Sequence, residues 1–439
     1  MEEYNKFIIR MNTPRVVVDN AVGATATVVK VDSARERGVL LEVLRVLADL
    51  DLVIGKAYIS SDGRWFMNVF HVTDRHGRKL ADLHLASKLE LSLCADADDN
   101  GNDAPDEVAG GEICGATELA LAGDDRPGLL SEIFAVLRDA ECDVVAAKVW
   151  THNGRVACLI SVVFGSANDP HSIVARLRSV LIGDHGERVT AGMGPPSTAH
   201  SDRRMHQLMF DDRDYERAGC RVKTPLVVSV QNWVDRGYSV VNVECRDRPK
   251  LLFDVVCTLI DMEYVVFHGT VDTDGIRAHQ EFYIRHLDGT PISSEAERQR
   301  VVQCLQAAIE RRASEGVMLE LRTADHRGLL ADVTQILREH GLSVTRAEVS
   351  TKAGVATSSF YVADPSGRAI SQRIVDAITE KISVDSLKLS DERGPCSLRK
   401  WSPAEEETAA NGGGGVGLFH LGSIVKRNLF NLGLIRSCT

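Results

Sequence analysis

The sequence predicts an α+β fold of four tandem β-α-β-β-α-β units with antiparallel sheets. Three observations predict it. The first is that Asp124-Asp125-Arg126-Pro127-Gly128-Leu129-Leu130 recurs in altered form as Arg35-Glu36-Arg37-Gly38-Val39-Leu40, Asp247-Arg248-Pro249-Lys250-Leu251-Leu252 and Asp325-His326-Arg327-Gly328-Leu329-Leu330, each time between a strand-like and a helix-like run. The second is spacing: from this loop to the glycine of the next hairpin turn there are 25 residues (Gly38 to Gly63), 26 (Gly128 to Gly154), 25 (Lys250 to Gly275) and 26 (Gly328 to Gly354). A distance kept four times means that the helix and the strand after it have set lengths, as a closed structural unit demands. The third is that hydrophobic periodicity alternates between strand and helix in the same order in each copy, the order of the ferredoxin-like split βαβ.

Residues 1–24 read as a lead-in and 25–103 as the first unit. Its first strand is the β-branched, alternating run from Ala24 to Val31. Val39, Leu40, Val43, Leu44, Val46 and Leu47 then fall on one face of a helix. Strands over 52–60 and 65–73 follow, joined at Asp62-Gly63, because glycine accepts the positive φ of a tight hairpin turn. A second helix is expected over 81–91 and a last, poorly marked strand after it. Residues 95–111, rich in Asp, Asn, Gly and Pro, cannot build a core and read as a linker.

The second unit, 117–195, repeats the plan, with Leu129, Leu130, Ile133, Phe134, Val136 and Leu137 on its first helix and Asn153-Gly154 at its hairpin turn. Residues 196–238 read as a linker holding one short helix at Arg203–Phe210, with an extra strand over 226–231. The third unit is 239–315 and the fourth 317–395. Because these two run nearly head to tail, they are expected to pack on each other. The tail, 396–439, is expected to be flexible, with a glycine hinge at 412–415 and an apolar, basic stretch at 418–430. That stretch reads as a helix docked back on the last unit, or as an amphipathic surface for a partner or membrane.

Composition narrows the function. A chain of 439 residues is too long for one core, and 44% apolar with 26% charged residues is ordinary for a globular protein. The net charge of -11 disfavours nucleic acid as a partner. Ten scattered cysteines, the closest pair being Cys245 and Cys257, indicate neither a disulfide framework nor a zinc cluster. With no apolar run near eighteen residues and a charged start, no transmembrane segment or signal peptide is expected, and the location expected is cytoplasmic, or nuclear as well.

The recurring loop opens a helix, so the backbone N–H groups of Gly128, Leu129 and Leu130 are available to an anion such as an α-carboxylate. Gly128 lets a ligand approach closely, and Asp125 could accept from an α-ammonium group. Equally, Asp125 could cap the helix while Pro127-Gly128 shapes the turn. Both readings stay open on the residues alone. No phosphate-loop, nucleophile-elbow or zinc-protease motif is present, so no catalytic residue, metal or cofactor is assigned. His268, His279 and His286 share one region without defensible ligand spacing. Arg311-Arg312, with Arg298 and Arg300, reads as the solvated face of a helix. The strands Val156–Ile160 and Ala356–Phe360 lack the aromatic platform of RNA-recognition modules that share this topology.

At the Asp-Arg-Pro-Gly-Leu-Leu loops, the apolar helices and the Gly-turn hairpins, the chain resembles tandem ACT domains, a regulatory module of amino-acid metabolism. Four copies, the Arg203–Met209 segment and the Asn431–Ser437 ending together resemble the plant ACT-domain-repeat (ACR) proteins over the whole chain. The resemblance implies a non-enzymatic amino-acid sensor, glutamine being the first candidate ligand, with ACT–ACT pairing inside the chain and protein partners reached through the tail. It implies ligand-binding residues Asp125, Gly128, Leu129, Asp325, Gly328 and Leu329, with Gly38 as the loop glycine of the first unit. That unit lacks the acid, and the third has Lys250 for glycine, so neither is expected to bind by itself. The alternative is a protein-interaction scaffold whose loops are only helix caps.

Overall fold

A computed structural model describes residues 15–34, 38–61, 65–80, 115–165, 169–182, 189–195, 200–216, 226–313, 317–364, 370, 372–382 and 386–390. The turn at Asp62-Gly63, the helix at 81–91, the linker at 95–111 and every expectation for 396–439 lie outside these residues.

The first unit comprises β1 (Arg15–Asp19), β2 (Thr27–Ser33), α1 (Val39–Asp49), β3 (Val53–Ser61) and β4 (Phe66–Thr73). The second comprises β5 (Thr117–Asp124), α2 (Leu129–Asp139), β6 (Asp143–His152), β7 (Arg155–Val163), α3 (Pro170–Ile182) and β8 (Thr190–Gly194), and α4 (Ser201–Asp211) follows it. The third has β9 (Val227–Trp233), β10 (Tyr238–Arg246), α5 (Leu251–Asp261), β11 (Tyr264–Thr273), β12 (Arg277–His286) and α6 (Glu295–Arg312). The fourth has β13 (Val317–Ala324), α7 (Leu329–Glu339), β14 (Ser343–Lys352), β15 (Val355–Ala363), α8 (Gln372–Ile382) and β16 (Ser386–Ser390).

Local chemistry repeats with the pattern. The six apolar positions read on α1 are all buried. Each unit's first helix exits through a left-handed residue: Asp51 (φ 53°), Glu141 (52°), Glu263 (67°) and Gly341 (71°). Asn153 and Gly154 both take positive φ at the second hairpin, as do Ala353 and Gly354 at the fourth, the twist that joins adjacent strands without splaying them. The strand that follows each unit's first helix carries a register shift at the same place, at Ile54/Lys56, Val144/Ala146, Val266/His268 and Val344/Arg346.

The units do not pair as their order along the chain suggested. They form two antiparallel eight-stranded sheets, β1-β2-β4-β3-β11-β12-β10-β9 and β16-β13-β15-β14-β6-β7-β5-β8. The third unit therefore joins the first, and the fourth joins the second. Edge complementarity decides this rather than proximity in sequence. Ala147 and Val149 of β6 lie opposite Val349 and Ala347 of β14, so the two edges match about the Lys148–Glu348 pair. Lys56 of β3 likewise meets Asp272 of β11 at 3.4 Å. Two cores result, one shared by units one and three and one by units two and four.

The outermost strand also differs between the pairs. In units two and four it follows the second helix (β8, β16), whereas in units one and three it precedes the unit as β1 and β9. The segments read as lead-in and linker thus contribute sheet strands.

The segment read as a linker with one short helix is a joint between the two sheets. Met205, Leu208 and Met209 of α4 pack on Trp150, Ala157 and Leu159 of the second sheet. The polar side of α4 turns to the third unit. Arg312 binds Asp254 at 3.0 Å through two nitrogens and Asp202 at 3.2 Å. Lys250 reaches Asp202 at 2.8 Å, Lys148 pairs with the same carboxylate, and Arg311 holds Asp214 at 2.5 and 2.6 Å. Arg311 and Arg312 are 4% and 5% exposed, so they do not form a solvated face; each is drawn inward by a buried carboxylate. Burial by itself would raise Asp202, but Arg312, Lys148 and Lys250 hold it well below the usual carboxylate range. His206 receives Arg311 on Nδ1 (3.1 Å) and meets Asp254 through Nε2 (2.8 Å), an arrangement of the neutral ring that agrees with a pKa lowered by burial.

Candidate functional site

In all four units the first helix starts from a left-handed residue: Gly38 (φ 86°), Gly128 (85°), Lys250 (63°) and Gly328 (89°). None of these helices has a side-chain cap. No helix-start amide donates to the Asp125 or Asp325 carboxyl among the described residues, and the Asp125 carboxyl accepts from the Arg126 N–H in the turn. The backbone N–H groups of Asp125 and Asp325 donate to Gly154 O (2.8 Å) and Gly354 O (2.9 Å), and that of Asp247 donates to Ile276 O (2.8 Å). The loop is tied to the hairpin turn of its own unit, which is the physical origin of the repeated spacing.

The amides divide differently from expectation. Leu129 N donates to Arg126 O, and Leu329 N to His326 O, both at 3.1 Å, so the amides of Leu129 and Leu329 close the turn and do not face outward. Those of Gly128, Leu130 and Ser131, and of Gly328, Leu330 and Ala331, have no acceptor among the described residues. Each helix start keeps three unpaired donors aligned with its dipole. The Asp125 residue as a whole is exposed, but protein crowds its carboxyl, and that desolvation pushes it up to about 6 against the partial offset of Arg126. Burial, and then the charge of Asp125, pushes the Cys158 thiol beneath it to about 12.

The loops lie against the first helix of the partner unit. A cleft of about 40 Å³ brings Asp325, Gly328 and Leu329 together with Phe134, Arg138 and Asp143 of the second unit. Asp125, Gly128 and Leu129 lie outside that cleft, with Gly128 beneath Arg338. A Cβ on Gly128 would stand 2.7 Å from Arg338 Cδ, and one on Gly328 would stand 2.8 Å from Arg138 Cδ. The two arginines thus cover each other's loops reciprocally. Arg138 is held at the surface by Asp332 at 3.2 Å and Asp139 at 3.7 Å. Forty cubic ångströms holds about three waters, so an amino acid enters only if such an arginine swings aside, exchanging a weak surface pair for a bidentate carboxylate contact. Gly38 has open space around it and lines neither this cleft nor the next.

A second cleft of about 40 Å³ lies where sequence reasoning discounted one, between Asp247–Phe253 of the third unit and Leu44, Ala48 and Ile54 of the first. Its floor carries Gln280, a residue that sequence reasoning did not single out. The signal was present: Gln280 falls on the inward phase of β12, with Ala278, Phe282 and Ile284. No helix among the described residues is long and apolar enough to cross a membrane, and no group of three or more His, Cys, Asp or Glu there could hold a metal ion.

Comparison with known proteins agrees with this architecture. The model of the ACR family N-terminal ACT domain matches residues 22–100, that of an ACR9-like, ACT-like domain matches 227–314, and that of the ACT domain matches 317–374. ACT domain-containing protein ACR8 of Arabidopsis thaliana is 52% identical over 453 aligned residues, spanning 100% of this chain and 99% of the relative. ACT domain-containing protein ACR4 of the same plant is 47% identical over 450, spanning 99% and 98%. A bifunctional uridylyltransferase/uridylyl-removing enzyme of Rhodospirillum rubrum is 26% identical over 226 residues, which are 49% of this chain and 22% of that enzyme. With ACT-domain models along its length and full-length relatives at such identity, the chain belongs to the ACR family of ACT-domain-repeat proteins.

Proposed function

We propose that this ACR protein is a regulatory sensor that binds free amino acids, without catalysis, at the loops between first strand and first helix of its second and fourth units. The observation that carries this reading is that, among the described residues, no helix-start amide donates to Asp125 or Asp325 and three amides at each helix start have no acceptor. An α-carboxylate meets those amides, and the aspartate meets the α-ammonium group. The paired units complete the site, since Arg138 and Arg338 come from the opposite helix. The scaffold alternative rested on the loops being caps, and the uncapped helix starts count against it. Glutamine is the first ligand to test, and a cytoplasmic or nuclear location is part of the same proposal.

The test is a thermal-shift scan of the full chain against each proteinogenic amino acid. Ligand at about 100 times its dissociation constant adds roughly 2.7 kcal/mol of stability. A shift with one or two amino acids, lost in the Asp125→Ala/Asp325→Ala double variant, supports the sensor; a flat scan at millimolar ligand refutes it.

A further inference from the structure

We propose that the cleft between the third unit's loop and α1 is a ligand site in its own right, which takes a small amino acid with a hydrogen-bond-donating side chain and reads that side chain with Gln280. The proposal rests on the reading of these loops as amino-acid sites and extends it to the unit whose loop lacks the glycine.

Gln280 is 1% exposed, and its Oε1 has no partner among the described residues. Its neighbours across the sheet are Val243 on β10 and Val271 on β11, neither of which offers a side-chain donor. A buried acceptor left unpaired destabilises the fold, and the same position filled by an apolar side chain would carry no such penalty. A donor arriving from the cleft removes the penalty, and Gln280 lines that cleft.

The position is not accidental. Counting back seven residues from the left-handed residue of each loop (Gly38, Gly128, Lys250, Gly328) reaches Val31, Leu121, Val243 and Leu321, and the register pairs these with Asn68, Cys158, Gln280 and Ser358. All four units thus place a polar group or thiol at one inward position beneath the loop. Asn68 and Ser358 are fully buried, and the Asn68 amide and the Ser358 hydroxyl also lack partners among the described residues. Four different side chains at one floor position are what a set of sites with four specificities would show.

The cleft at the third loop, of the same volume, must likewise widen to admit an amino acid, but Ala48 of α1 stands where Arg138 and Arg338 stand in their helices, so no arginine at that place has to swing aside. Lys250 holds the left-handed backbone of the glycines and sends its side chain away to Asp202 at 2.8 Å. The amides of Lys250, Leu252 and Phe253 have no acceptor among the described residues and suit a carboxylate. Asp247 accepts from Thr273 on Oδ2 (2.7 Å) and from the backbone N–H of Arg248, and a carboxylate so bonded keeps lone pairs for an ammonium group. Gln280 Oε1 at the floor then meets a hydroxyl or amide of the side chain, and the small cleft favours a short one.

The experiment is calorimetric titration of the full chain with serine, threonine, asparagine, glutamine and alanine. Gln280→Met keeps the length of the side chain and removes the acceptor. Expected are at least tenfold weaker binding of a hydroxyl or amide ligand, unchanged binding of alanine, and a melting temperature no lower than wild type, because no hydrogen bond of the free protein is lost. Asp247→Asn should weaken every ligand of this cleft alike. Heat that survives Asp125→Ala/Asp325→Ala and disappears in Gln280→Met supports the third site. Binding lost in that double variant and untouched by Gln280→Met overturns the third site while leaving the second and fourth, and silence in the wild type overturns both.

Discussion

Replacing Asp202 by asparagine should separate a joint from a mere contact. Asp202 is fully buried, and Lys148, Lys250 at 2.8 Å and Arg312 at 3.2 Å converge on it. Asparagine keeps the volume, so no cavity term enters, but it removes the charge that these three cations share and adds an amide donor among them. Breaking a buried ion pair costs about 3–5 kcal/mol, against at most about 1 kcal/mol for an exposed pair. At about 2.1 cal/mol/K of unfolding entropy per residue, a chain of 439 residues should melt about 3–5 °C lower. The assay is scanning calorimetry beside Trp150 fluorescence, because Arg312 lies 4.9 Å over that ring and His206 meets it edge-on. The gap between the two proteins should persist from neutrality to about pH 4 and close below it, since a carboxylate held low contributes stability above its unfolded pKa and loses it as acid protonates the folded state. A melting point within 1 °C of wild type, roughly the effect of one exposed pair, would refute the argument that this carboxylate ties the sheets together.

Three further outcomes are expected. Affinity at the second loop should rise with pH through about 6, falling about tenfold per unit below it, and Asp125→Asn should flatten that profile in a titration series; the raised carboxyl itself favours the fold below its unfolded pKa and ceases to as pH rises through about 6. Gly128→Ala should destabilise by more than Gly38→Ala in urea unfolding: both leave a left-handed glycine, a penalty of about 1–2 kcal/mol, but only the former meets a side chain, Arg338 Cδ at 2.7 Å. Arg327→Ala should change stability by less than about 1 kcal/mol, because its pair with Asp143 at 2.8 Å has both partners about half exposed.

What the sequence made legible was local. The loop, the apolar faces of the first helices and the Asn153-Gly154 turn are set by neighbours in the chain, and periodicity reports them. The pairing of units was not legible, because it depends on how Ala147 and Val149 match Val349 and Ala347 across a sheet edge, 200 residues away in sequence. Arg311 and Arg312 looked solvated for the same reason: their partners Asp214, Asp202 and Asp254 come from elements whose approach no local pattern announces. At the candidate site the glycines and aspartates were visible as motifs. Gln280 was passed over, since one polar residue in an inward phase gains meaning only once its apolar neighbours are known. The loop's attachment to its own hairpin turn, by contrast, was recorded in the 25- and 26-residue spacings before any hydrogen bond was seen.

The interleaved pairing bears on how the chain is made. A ribosome delivers the units in order, yet β3, complete at Ser61, must wait for β11, complete at Thr273, and β6 must wait for β14. At about 5–20 residues per second, that wait is on the order of 10–40 s for each edge. During it the nascent protein presents two unpaired strands at once, each ready to template a neighbouring chain on the same message. Lys56 and Lys148 stand on those edges, and a lysine on an exposed edge strand opposes its pairing with another copy.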